Sequence, residues 1–254
     1  MQNIILTTKK IFILAFILIL ITANFMSCKT APAKEETLID LIKAGKSEEL
    51  QERLNSSAIN MKDEEGNSLL HIAAVKNDPI IVRLLINMDA DIEAKNDMGA
   101  TPLAAALNNS SYAAVKVLAE YNANIFAKDN EGENPFNTAC KNNVSNLILT
   151  AQTIKQKDEN QDTVLHLAVK AIDKQLTEQI LAIAPPETVS NKEGLSPLAI
   201  AYKYNDVENS AEIASILLLA GIQPMGKDFA EFETASLARN YSMRFSDGET
   251  LLHI

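Results

Sequence analysis

From residue 38 onward the apolar residues come in short bursts of helical spacing, divided by polar turns. Leu38-Ile39-Asp40-Leu41-Ile42 is one burst and Glu48 to Leu54 is another beyond Gly45, so two short amphipathic helices are expected there. Leu69-Leu70-His71-Ile72-Ala73-Ala74 and Val82-Arg83-Leu84-Leu85-Ile86 form a second pair, and the pairing then recurs. One apolar anchor returns as Leu70, Leu103, Phe136, Leu165, Leu198 and Leu252, at separations of 33, 33, 29, 33 and 54 residues. Self-similarity near 33 residues predicts a solenoid: each unit is too small to bury its apolar face alone and must stack on its neighbours.

The local signals around each anchor agree with this. Ser68, Thr101, Thr163, Ser196 and Thr250 stand where a helix N-cap is expected, each with a hydroxyl for an orphan backbone N–H. Pro102, Pro135 and Pro197 follow at the first helical position, where a missing N–H costs nothing. Ala73, Ala106, Ala139, Ala168 and Ala201 come three residues after the anchor and predict two helices packed too closely for a larger side chain. The second helices close on Asp89-Ala90-Asp91-Ile92 or Asn122-Ala123-Asn124-Ile125, where Asp or Asn takes the left-handed conformation. Polar turns such as Lys95 to Gly99 and Lys128 to Gly132 complete the unit.

These residues resemble the ankyrin repeat family, whose pattern is Gly-x-Thr-Pro-Leu-His-x-Ala-Ala, then a second helix, then Gly-Ala-Asp. The likeness covers roughly residues 35 to 254. It implies an all-α fold, an ankyrin-repeat solenoid of stacked helix-turn-helix units with projecting hairpin-like loops. It also implies protein–protein recognition without catalysis, metal or cofactor. His71, His166 and His253 share one motif position, where the resemblance implies hydrogen bonds within and between repeats. Recognition is then expected at the loop tips: Glu64 and Glu65, Asp97 and Met98, Asn130 and Glu131, Glu159 and Asn160, Lys192 and Glu193. The adjoining concave face is expected to include Lys76, Asn108, Lys141 and Lys203. The acidic balance of the tips favours a partner with a basic surface.

Composition narrows the function further. The formal charge of −10 and the pI near 4.9 argue against nucleic acid or an anionic membrane surface as electrostatic partner. No Trp and 5% aromatics suit a solenoid built from Leu, Ile and Ala. No P-loop, dinucleotide-binding, zincin, nucleophile-elbow or Cys-x-x-Cys pattern occurs. Asp158 to Asp162 imitates the opening of a calcium loop, but Thr163 stands where that loop needs Gly and Val169 where it needs Glu. It reads as an acidic, solvated turn. Cys140, directly after Ala139, reads as a small buried hydrophobe.

Residues 1–27 read as a lipoprotein-type signal peptide. Lys9-Lys10 precede eleven residues without a polar side chain, Ile11 to Ile21, short of the roughly 20 that span a bilayer. Phe25-Met26-Ser27-Cys28 resembles a bacterial lipobox, which makes Cys28 the lipid-bearing first residue of the mature chain. Loss of Lys9 and Lys10 takes the formal charge from −10 to −12. The expected location is a bacterial cell envelope, lipid-anchored on the periplasmic or cell-surface side, with no other membrane contact. A secreted form that binds proteins of another cell is the alternative, followed by an enzyme whose catalytic domain lies beyond residue 254.

The expected organisation begins with a tether over 28–36, a degenerate capping repeat over 37–62 and five repeats over 63–224. The third is four residues short, with a second helix around Val144 to Ile154. Pro185-Pro186 stops the fourth, and the fifth carries an insertion near Asp206 to Ser210. Residues 225–247 are a degenerate repeat or an inserted helix, and 248–254 open a further, truncated repeat.

Overall fold

The computed structural model describes residues 36–55, 57–184, 189–203 and 209–222. The signal peptide, Cys28, Pro185-Pro186, most of the expected insertion and all residues from 223 on, Thr250, Leu252 and His253 included, lie outside the described residues. Every described element belongs to the unit spanning residues 38–254.

That unit is a row of short helices in pairs: α1 (Leu38–Ala44) with α2 (Ser47–Arg53), α3 (Leu69–Val75) with α4 (Pro79–Asn87), α5 (Pro102–Asn108) with α6 (Tyr112–Glu120). α7 (Pro135–Lys141) follows with two 3-10 turns, and then α8 (Val164–Lys170) with α9 (Lys174–Ile183) and α10 (Pro197–Lys203) with α11 (Asn209–Leu219). No strand occurs among the described residues. α1, α3, α5 and α7 pack in succession, and so do α8 and α10.

The helix starts follow the sequence signals. Ser68, Thr101 and Ser196 accept from the backbone N–H three residues on, at 3.4, 3.4 and 3.0 Å. Asn134 caps α7 in the same way, its side chain accepting from Asn137 N at 2.8 Å. Pro102, Pro135 and Pro197 each open a helix. The anchors Leu70, Leu103 and Leu198 are fully buried, each stabilising the fold by about 1.5–3 kcal/mol through apolar area removed from water. Ala73, Ala106, Ala139 and Ala168 have no exposed surface at all. Asp89 and Asn122 end their helices with φ of 64° and 61°, the left-handed conformation expected of them.

One expected helix does not form. After α7 the chain turns at Asn143 (φ 57°) into short 3-10 turns, Ser145–Leu147 and Thr153–Lys155. A unit four residues short cannot hold a nine-residue second helix and still return to the next loop. Side-chain bonds replace helical ones: buried Thr153 donates to Ile148 O at 2.6 Å and accepts from Thr150 N at 2.8 Å. Gln156 then clamps the preceding unit, donating to Ala123 O at 3.1 Å and accepting from Ile125 N at 2.9 Å. α9 ends at Ile183, and Ala184 is extended, as a residue before proline must be.

Candidate functional site

The loops between units share one geometry. In each, an Asp or Asn carboxyl or amide oxygen accepts from two backbone N–H groups of the tip: Asp63 from Glu65 and Asn67, Asn96 from Met98 and Ala100, Asp129 from Glu131 and Glu133. Asp158 and Asn191 do the same for Asn160 with Asp162 and for Glu193 with Leu195. None of the five is assigned this loop-holding role from sequence, although an Asx residue three before each loop Gly, or before Gln161, is the available signal. Isolated antiparallel bridges, Lys62 with Ser68 and Lys157 with Thr163, make the loops hairpin-like.

All ten predicted tip residues are exposed: Glu64, Glu65, Asp97, Met98, Asn130, Glu131, Glu159, Asn160, Lys192 and Glu193. Met98 is the most exposed apolar tip, at 69%. Neighbouring tips are stitched by backbone bonds, Asp97 N to Glu65 O at 3.2 Å, Asn130 N to Met98 O at 3.0 Å and Lys192 N to Asn160 O at 2.8 Å. Among the described residues no such bond joins the tip at Glu131 to the tip at Asn160. There Lys128 Nζ bonds the Glu159 carboxylate at 2.9 Å instead. The interruption falls at the shortened unit, where α7 and α8 do not pack as the earlier first helices do.

His71 and His166 hold the loops. Each Nδ1 lies 2.8 Å from the hydroxyl of the N-cap residue, Ser68 or Thr163. Each Nε2 reaches a carbonyl of the next unit, Ala100 O at 2.9 Å or Leu195 O at 3.2 Å. A carbonyl only accepts, so Nε2 carries the proton; the backbone N–H of Ser68 or Thr163 donates to Nδ1 at 3.2 Å, so Nδ1 is unprotonated and the ring is neutral. Burial lowers both pKa values and outweighs the carbonyl contacts that raise them.

The face formed by the first helices beside the loops divides into two parts. Val75, Asn108, Lys141, Lys170 and Lys203 each end their helix at the same place in the unit. Lys141 pairs with Glu133 at 2.8 Å and Lys203 with Glu193 at 3.1 Å. Lys170 pairs with Asp162, whose side chain is only 1% exposed and also accepts from Asn191 Nδ2 at 2.9 Å. Lys141 and Lys203 are thus paired within the molecule while their side chains stay exposed, and Glu193 is tied to Lys203. The expectation of an acidic, solvated turn over Asp158–Asp162 is corrected at its last residue: Asp162 is buried, while Glu159, Asn160 and Gln161 are exposed.

The other part is open. Where Lys170 covers Asp162, Val75 stands beside Asn67, and Val75 is 42% exposed. A cleft of ≈ 350 Å³ lies here between α1 and α3. Ile72 and Val75 form its apolar floor, with Asp63 and Glu65 at the loop end and Lys43 and Lys76 at the other. Burial works to raise the Asp63 pKa, but hydrogen bonds from Asn67 and Glu65 outweigh it and hold the carboxyl below its usual value. Of the predicted tip residues only Glu65 lines this cleft, and of the predicted concave residues only Lys76 does.

A smaller cleft of ≈ 110 Å³ lies between the turn at Asn143–Asn146 and α9. Cys140 is half-buried at its edge rather than in the core, and burial together with the Asp173 carboxylate raises its thiol pKa. Among the described residues no group of three His, Cys, Asp or Glu side chains is arranged to hold a metal ion, and no helix is long and apolar enough to cross a membrane.

Comparison with known proteins agrees with this geometry. A family model of ankyrin repeats, in three copies, matches residues 38–129. The chain is 37% identical over 60 residues to the poly [ADP-ribose] polymerase tankyrase of Caenorhabditis elegans, which is 24% of this chain and 3% of that protein. It is 46% identical over 63 residues to ankyrin repeat domain-containing protein 13C of Danio rerio, 25% of this chain and 13% of the relative. The chain thus spans only a small part of the length of these relatives. The crystal structure of the ankyrin repeat domain of Bcl-3, a member of the IkappaB protein family, superposes with a TM-score of 0.50 at 21% identity, over 70% of this chain and 81% of that one. The fold is an all-α ankyrin-repeat solenoid, an architecture that in general serves as a non-catalytic scaffold for binding other proteins.

Proposed function

We propose that this chain is a non-catalytic module that binds another protein on its first-helix face, centred on the cleft between α1 and α3. We further propose that an acylated Cys28 holds it at a bacterial cell envelope. The observation that carries the first part is the difference along that face. Three later units close it with ion pairs at Lys141, Lys170 and Lys203, whereas Ile72 and Val75 leave an apolar floor open. Apolar surface left exposed beside charged groups that form no ion pair among the described residues, as at Lys43 and Lys76, is surface available to a partner.

The second part rests on sequence. The basic pair Lys9-Lys10, the apolar run to Ile21 and the Ser27-Cys28 junction fit a lipoprotein leader. The relatives named above are eukaryotic and align over about 60 residues each, so they bear on the repeats and not on the leader.

Two measurements test the reading. A photo-crosslinking residue at Ile72 is expected to yield one discrete adduct in the native cell, absent when Val75→Lys is also present. Equal adducts from Lys116, exposed on a second helix, would overturn the docking face. For the anchor, intact mass and membrane fractionation compare the full chain with Cys28→Ala. Acylation and membrane association of the wild type alone support the anchor, while two soluble, unacylated proteins favour the secreted form.

A further inference from the structure

The cleft between α1 and α3 carries a charge order as well as an apolar floor, and that order specifies its occupant. We infer that it takes an extended segment of the partner protein with an apolar residue at its centre, a Lys or Arg on the side facing the loops, and an Asp or Glu on the side facing the helix C-termini. This deepens the proposed docking reading and rests on it.

The order follows from the direction of the helices. α1 and α3 pack side by side, and their C-terminal ends come together: a Cβ on Gly45, the residue after α1, would lie 3.8 Å from Asp78 Oδ2, three residues beyond α3. Lys43 is in the last turn of α1, and Lys76 is the residue after α3. Asp63 and Glu65 precede α3 in the loop and mark the opposite end. Three hydrogen bonds stabilise the Asp63 anion. Neither lysine forms an ion pair among the described residues. In the later units the lysine at the helix end meets its acid within the molecule, Lys170 with Asp162 and Lys141 with Glu133. Here acid and base stand at opposite ends with Ile72 and Val75 between them, so each end is left to an outside charge.

The spacing sets the length of the segment. Seven helical residues rise about 10 Å, and an extended chain covers that in about three residue steps. The basic and acidic residues of the partner are therefore expected three to four positions apart, flanking the apolar side chain, in either chain direction.

Panning the full chain in mild detergent against a random 12-residue peptide library tests this. The expected result is enrichment of peptides with a basic and an acidic residue flanking an apolar one at that spacing. A synthetic winner is then expected to lose at least tenfold in affinity to Val75→Lys, a change the fold tolerates because later units carry lysine at that place. The double variant Lys43→Glu/Lys76→Glu is expected to select basic residues at both ends, and Glu65→Lys to select acidic residues at the loop end. Thermal unfolding of each variant confirms that the fold is retained. Winners lost with Val75→Lys but showing no charge order would overturn this inference and leave the docking face standing. No enrichment, or winners indifferent to Val75→Lys, would overturn both.

Discussion

Lys170 bonds the buried carboxylate of Asp162 eight residues before it, and in the unit built on α3 the same two places hold Val75 and Asn67. The two arrangements share a backbone and an amide contact: Asn191 donates to Asp162 Oδ1 as Asn96 donates to Asn67 Oδ1, both at 2.9 Å. They differ in whether the first-helix face is closed by charge or left apolar.

Removing the lysine alone strands the carboxylate. Lys170→Met is expected to destabilise by about 2 kcal/mol, below the cost for a wholly buried pair because the Lys170 side chain is 28% exposed. The double change Asp162→Asn/Lys170→Val copies Asn67 and Val75 and is expected to recover most of that loss. Urea unfolding of the wild type and both variants measures it.

Stability is expected to fall as pH falls below about 6.5. His71 and His166 are buried with lowered pKa values, so the unfolded chain takes up their protons first, from the usual 6.5 downward. Their contribution is whole above that pH and is lost progressively toward the folded-state pKa values. Melting temperature measured from pH 8 to 5 shows the decline, and His71→Gln/His166→Gln is expected to be less stable at pH 8 and flatter across the range.

Loop glycines are expected to differ in cost according to the tip above them. Gly66 has φ +74°, and a Cβ there would lie 2.3 Å from Asp97 Oδ1 and 2.9 Å from its backbone N. Gly132 has φ +83°, but nothing lies within 4 Å, because the next tip does not stack on it. Gly132→Ala should cost about 1 kcal/mol for the left-handed backbone, and Gly66→Ala about 3 kcal/mol once the clash is added. Chemical denaturation of the two variants separates them.

The shortened unit depends on one hydroxyl. Thr153→Val keeps the shape but leaves Ile148 O and Thr150 N without their 2.6 and 2.8 Å bonds to it. A loss of about 2 kcal/mol is expected. Faster hydrogen exchange confined to residues 144–157 would locate the effect.

The sequence by itself determined the unit and its period. N-caps, first-turn prolines, the small Ala and the left-handed Asp89 and Asn122 act within three or four residues of each other, and such short-range geometry is legible in order alone. Ten tip positions were legible for the same reason, since a polar turn between paired helices is exposed wherever it occurs. The tertiary structure decided which of these positions line an open surface. Whether Lys141, Lys203 or Lys76 meets an acid of its own chain depends on distances across a loop and a helix, and identical residue types end differently: Lys203 at Glu193, Lys76 at the edge of a cleft. The missing second helix after α7 was decided there too. Its residues carry enough apolar character for a helix, but the chain has four residues too few to complete one and reach the next loop, and Thr153 and Gln156 supply the bonds a helix would have made.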